Sequence, residues 1–190
     1  MDERLKPLLE LAEKSEIELF FGDGVHLIYG AELGYCWCKT RQEVKSAYER
    51  KRFNVMGAYN PITHKTTVIS NDSYLNSTEI VELYRKLREE NGNKRIVIIL
   101  DNARYQKCEL TKKAAEEYSI EVVYLPSYSP NLNLIERLWK LLRKECMCNK
   151  YKETFSKFCD DILDFLNQTS TKFLEKVKSL LAPNFQILGD

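Results

Sequence analysis

Apolar residues along this chain fall into two kinds of pattern, short continuous runs and runs at helical spacing. Residues 2 to 14 have helical spacing and predict a largely solvent-facing helix. "IELFFGD", 17 to 23, is a short run rich in β-formers and closed by Gly-Asp-Gly, which predicts a strand ending at Asp23. "YCWCK" suggests a short strand before the polar connector "TRQEVKSAYERKR". "FNVMGAYN" (53 to 60) and "KTTVISN" (65 to 71), parted by "PITH", form a hairpin pattern. "NSTEIVELYRKLREENGN" has a Ser or Thr cap, periodic apolar positions and a closing Asn-Gly. "KRIVIILD" (94 to 101) is aliphatic throughout, as a strand covered on both faces should be. A helix over 103 to 119, a strand "EVVYL" and a helix over 131 to 148 follow. Residues 153 to 182 add two helical stretches separated by "NQTST".

Three strands followed by alternating helices and strands predict an α/β fold, a mixed sheet with helices on both faces. The expected organisation is an N-terminal helix (1 to 16), a main domain (17 to 150) and a C-terminal helical extension (151 to 190) packed on it. Phe155, Phe158, Ile162, Phe165 and Leu166 recur at helical spacing. They are expected in the core, with a dimer contact as the alternative.

Composition changes this picture little. Of the 190 residues 44% are hydrophobic and 30% charged, and the net charge is +1. That excludes a global basic field, so any nucleic-acid contact must rest on local groups of Lys and Arg. No apolar run approaches the roughly 18 residues of a membrane helix, and the acids of "MDERLKPLLELAEKSEI" do not suit a signal peptide. A cytoplasmic protein with reduced cysteines is the expectation. The two Cys-x-Cys pairs, 36/38 and 146/148, are a weak zinc signal, because zinc sites usually show two to four intervening residues.

Three acids carry the candidate chemistry. Asp23 and Asp101 each close a predicted strand, the edge where open α/β sheets bind ligands. Capping of the next helix would also account for Asp101. On a wheel of 100° per residue, Leu132, Ile135, Leu138, Trp139, Leu142 and Cys146 share one arc, with Glu136 at its margin. An ion pair with Lys140, or a capping box in "NLIE", would explain Glu136 without chemistry. Together, however, two strand-end aspartates and one helix-margin glutamate can converge on one sheet edge. Three oxygen ligands suit Mg²⁺, and two such ions about 3.5–4 Å apart support phosphodiester chemistry. His26 and His64 have no evident triad partners and read as surface or loop residues.

The motifs "FFGDGVHL", "ILDNARYQK" (99 to 107) and "LPSYSPNLNLIERLW" (125 to 139), with 34 residues between Asp101 and Glu136, resemble the insertion-sequence 630 branch of the Tc1/mariner superfamily of DDE transposases. The likeness runs from about residue 17 to 145. It implies a ribonuclease-H-like fold, shared with retroviral integrases. It also implies metal-dependent DNA cleavage and strand transfer, with Asp23, Asp101 and Glu136 as catalytic metal ligands and Asn102 as a neighbour supporting them. Many relatives have His where this chain has Gln106 and Pro where it has Leu134; neither change removes a ligand. The family usually carries N-terminal helix-turn-helix modules, whereas about 16 residues precede the first strand here. A catalytic domain, one frame of a split transposase, or a catalytically silent regulatory remnant all fit that arrangement.

Double-stranded DNA is therefore the expected partner. Arg137, Lys140, Arg143, Lys144 and Lys150 form one candidate phosphate-contacting group. Lys39, Arg41, Lys45, Arg50, Lys51 and Arg52 form another, though Glu43, Glu49 and Glu145 interrupt these runs. Tyr128 would either contact DNA or brace its loop. The expected cofactor is Mg²⁺, with Mn²⁺ as a substitute. The expected assembly is a homodimer, with a helix-turn-helix module supplied by another chain.

Overall fold

The computed structural model describes residues 2–30, 32–33, 39, 43–45, 49–126 and 132–181. The elements in chain order are α1 (Asp2–Glu13), β1 (Glu18–Ile28), β2 (Arg52–Tyr59), β3 (Thr66–Asn71), α2 (Ser77–Asn91), β4 (Ile96–Leu100), α3 (Glu109–Glu117), β5 (Ile120–Tyr124), α4 (Leu134–Leu142), α5 (Phe155–Asn167) and α6 (Leu174–Leu180). The five strands form one sheet in the order β3-β2-β1-β4-β5. β1 pairs antiparallel with β2 and parallel with β4; β2–β3 is antiparallel and β4–β5 parallel. The mixed sheet expected from the element order is therefore present. The strand expected in "YCWCK" lies outside the described residues.

The aliphatic run of β4 is buried at every position because the sheet is covered twice. Ile96, Ile98 and Leu100 face Ile80, Leu83, Tyr84 and Leu87 of α2 and Ala114 and Ala115 of α3. Val97 and Ile99 face the other way, into a core shared with α1, α4, α5 and α6. α1 is more committed than expected, since Leu5 and Ala12 are buried in that core. Phe158, Ile162, Phe165 and Leu166 are buried there too, and Phe155 packs against the same cluster. The hairpin turn is built by Asn60, whose Oδ1 accepts from the N–H groups of Ile62 (2.9 Å) and Thr63 (3.0 Å). α2 is capped by Asn76 rather than by Ser or Thr, in a capping box with Glu79. At the α3–β5 corner, Arg88 of α2 donates to the carbonyls of Tyr118 (2.7 Å) and Ser119 (2.8 Å).

Three boundaries differ from expectation. β1 continues five residues past Asp23 to Ile28, because Val25 and Leu27 keep the alternation and β2 supplies a partner as far as Arg52. The helix expected over 103 to 119 is a tight turn at Arg104–Gln106 and then α3, with Cys108 preceding the helix. α4 ends at Leu142 and the chain widens into a π-type turn over Arg143–Met147, within the helix expected to 148.

Candidate active site

β4 pairs with β1 only from Glu18 to Gly22. Asp23 is therefore the first residue of β1 beyond the β4 ladder. It sits mid-strand, opposite Gly57 of β2, rather than at the expected strand end. Asp101 follows Leu100, the last residue of β4, which is in register with Gly22. The two aspartates are thereby brought together where the parallel part of the sheet ends. α4 crosses this edge with its apolar face on the sheet and presents Glu136 to it. Carboxylate oxygens of Asp23, Asp101 and Glu136 all lie within 4.8 Å of one another, and all three residues are half-buried. Among the described residues this is the one group of three or more acids, His or Cys so arranged.

The simpler explanations for these acids do not hold. Asp101 caps no helix, as α3 begins at Glu109 behind Cys108. Glu136 and Lys140 form no ion pair among the described residues. Nor is there a capping box at Asn133, whose side chain makes no cap hydrogen bond. Instead the fully buried Asn133 turns inward: its Nδ2 donates to Asp101 Oδ1 (3.0 Å) and to the Gly22 carbonyl (3.2 Å). One helical turn beyond Glu136, Trp139 Nε1 donates to Asp23 Oδ2 (3.2 Å). The indole reaches Asp23 because Gly57 has no side chain; a Cβ there would stand 2.7 Å from Trp139 Cη2. On the opposite face, a Cβ on Gly24 would stand 2.6 Å from Leu75 Cδ1 and 3.5 Å from the Tyr105 hydroxyl. Burial and the charges of Asp23 and Asp101 raise that phenol's pKa.

Electrostatically the site is overloaded with negative charge. Burial foremost, then Glu136 and Asp101, push the Asp23 carboxyl up to about 7; the Gly24 N–H and the Trp139 indole pull it partly back. Three crowded carboxylates are a donor set for a hard divalent cation, which relieves their repulsion and accepts oxygen ligands. The residues present thus fit a divalent metal. Asp23, Glu136, Trp139, Lys140 and Arg143 line an open groove of about 360 Å³. A larger hollow of about 470 Å³, among Glu18, Asn60 and Lys94 at the other end of the sheet, gathers no such triad.

Of the remaining candidates, Lys140 and Arg143 share the groove with Asp23 and Glu136. Asn102 is exposed and engaged within the chain, and Asn133 donates a hydrogen bond to Asp101. Lys140 and Lys144 are exposed. Arg143 is tied down by an ion pair with Glu32 and by donation to the His26 carbonyl (3.0 Å). Arg137 is half-buried and engaged within the chain. Lys150 donates to the Glu145 carbonyl, and Lys51 pairs with Glu49 (2.8 Å). Lys39, Lys45 and Arg50 are exposed, and Arg52 lies over the Tyr74 ring. Arg41, Tyr128, Cys36 and Cys38 lie outside the described residues. Cys146 is buried, with its thiol on the Asp161 carbonyl (3.6 Å). The histidines serve the fold: His26 Nδ1 bonds Asn54 Oδ1 (2.6 Å) and His64 Nδ1 bonds the Tyr59 hydroxyl (2.8 Å).

Comparison with known proteins agrees with this geometry. A family model described as DDE superfamily endonuclease matches residues 18–159. The chain is 26% identical over 146 residues to the Insertion element IS630 uncharacterized 39 kDa protein of Shigella sonnei, covering 74% of this chain and 43% of that protein. The chain therefore spans less than half the length of that relative. Among solved structures, the Mos1 mariner paired end complex with Mn has a TM-score of 0.64 at 12% identity, covering 97% of this chain and 61% of that one. The Mos1 transposase catalytic domain with Raltegravir and Mn has a TM-score of 0.57 at 13% identity, covering 96% and 90%. At these identities the likeness is one of fold, and it shows the ribonuclease-H-like sheet expected from the motifs. The family match takes in β1 to β5, α4 and all three acids, and the chain belongs to the DDE superfamily endonucleases.

Proposed function

We propose that this chain is the catalytic part of a transposase, performing metal-dependent DNA cleavage and strand transfer during transposition and integration. The observation that carries the reading is the convergence of Asp23, Asp101 and Glu136, from three separate elements, within 4.8 Å. In this reading all three are catalytic and would hold Mg²⁺, with Mn²⁺ able to substitute and two ions at full occupancy. Bound there, the cations would activate a water or 3′-hydroxyl and stabilise the leaving oxygen of a phosphodiester. The chain's own residues do the rest. The sheet fixes Asp23 and Asp101, and α4 sets Glu136 against them. Asn102, next to Asp101 in sequence, is assigned a supporting role.

Duplex DNA is the proposed partner, covering both element ends and target. Phosphate contact falls first to the exposed Lys140 and Lys144, beside the groove, with Arg137 and Arg143 on the same helix margin. Recognition of element ends is assigned to a separate helix-turn-helix module and pairing of ends to a homodimer. A catalytic domain over 17 to 150, flanked by α1 and the C-terminal helices, is the proposed organisation. No helix among the described residues is long and apolar enough to cross a membrane, and the proposed location is the cytosol, with the DNA.

Nicking of supercoiled plasmid in Mg²⁺ or Mn²⁺, comparing the parent with Asp101→Asn, tests this. The expected result is cutting by the parent alone. Equal cutting by both would sink the assignment. A folded parent that binds DNA and never cuts would favour a regulatory remnant.

A further inference from the structure

α4 does more than carry the third acid. Asn133, Glu136 and Trp139 are spaced three apart, so they share one side of the helix and its entry. Glu136 is itself a member of the triad, Asn133 touches Asp101, and Trp139 touches Asp23. Both contacts are more than the fold requires. The apolar ring of Trp139 fills the space over Gly57, and a phenyl ring would fill much of it without an N–H. Burying an amide costs free energy unless it is fully bonded, yet Asn133 is fully buried and its Oδ1 has no partner among the described residues. Its Nδ2 faces two acceptors, Asp101 Oδ1 and the Gly22 carbonyl, so the amide has one workable orientation.

We infer that Asn133 and Trp139 are positioning residues for the metal site, each holding one sheet aspartate at the angle that Glu136, from the same helix, requires. The inference rests on the proposed metal reading and deepens it. α4 thereby acts as a jig: one helix supplies one ligand and aims the other two. Gly57 belongs to the device from the sheet side, because any side chain there displaces the indole from Asp23.

Titration of Mn²⁺ into the whole chain, followed by the electron paramagnetic resonance of the free ion, reads this without any turnover. Trp139→Phe exchanges the indole for a smaller ring and removes the donor; Gly57→Ala displaces the indole from the sheet side with the sequence of α4 unchanged; Asn133→Ala removes the amide. Each is expected to weaken Mn²⁺ binding about 10- to 100-fold. The thermal midpoint of Trp139→Phe should stay close to the parent's, and nicking should recover as Mn²⁺ approaches saturation. Parent-like affinity in both Trp139→Phe and Asn133→Ala, with binding abolished in Asp101→Asn, would overturn the positioning role and leave the metal site standing. A parent that binds no Mn²⁺, or an Asp101→Asn protein that binds it equally well, would remove the metal reading and this inference with it.

Discussion

Without a cation, the Asp23 carboxyl is pushed up to about 7, first by burial and then by Glu136 and Asp101. Its ordinary value is 3.8, so the fold favours the protonated form. The stability this confers is complete below pH 3.8 and is lost as pH rises through about 7. One pKa unit is worth about 1.4 kcal/mol, so the loss amounts to a few kcal/mol across that window. In chelator, the thermal midpoint is expected to fall between pH 5 and 7.5, and Asp23→Asn should flatten that slope. Added Mg²⁺ should stabilise the parent more at pH 7.5 than at pH 5, since in the proposed reading the ionised triad is the form that would hold it. A midpoint indifferent to pH and Mg²⁺ would mean that the three acids are not coupled. Asp23, Asp101 and Glu136 were legible from motif and spacing. Asn133 was not, because its local pattern matches a helix cap, and only the arrival of β1 and β4 gives its amide two distant acceptors. Gly57 is invisible in sequence for the same reason: nothing marks it until Trp139 is laid across it.

At the scale of elements, the site depends on how firmly α4 is seated. Leu134, Ile135, Leu138 and Leu142 are buried against the sheet and the helices beside it, and Leu138 is fully enclosed. Leu138→Ala is expected to cost about 2–5 kcal/mol. A lower urea midpoint with an unchanged m-value would show it, and a loss under 1 kcal/mol would mean that the helix is held by other contacts. The apolar periodicity of this helix was plain in the sequence, as was the unbroken aliphatic run of β4. The extension of β1 was concealed by its Gly-Asp-Gly, which resembles a turn. A strand can carry such a sequence where its neighbours pack flush against it, as Leu75 does over Gly24. The break before α3 was also concealed, since "ARYQKCEL" has no Gly or Pro to announce it.

For the whole molecule, a net charge of +1 gives no long-range attraction to DNA, so the proposed affinity for duplex must come from few contacts. Each phosphate contact contributes about 0.9 to the slope of log affinity against log salt. Replacing Lys140 and Lys144 together with Ala should make that slope shallower by roughly 1–2, measured by fluorescence anisotropy on duplex from 50 to 200 mM salt. An unchanged slope would place the phosphates on another face. The circuit between Asp101 and Glu136 also works at this scale. The chain leaves β4, turns, runs about 14 Å along the nine residues of α3 and returns about 17 Å along the five of β5. Arg88 fastens the corner between them. The count of 34 is therefore a perimeter, the distance walked around one lobe before coming home, and not a measure of how far apart the two acids stand. A residue added to β5 would turn its side chains to the wrong faces. One added to α3 would rotate the rest of that helix by about 100°. The ruler is enforced by the packing of a lobe that contains none of the three acids.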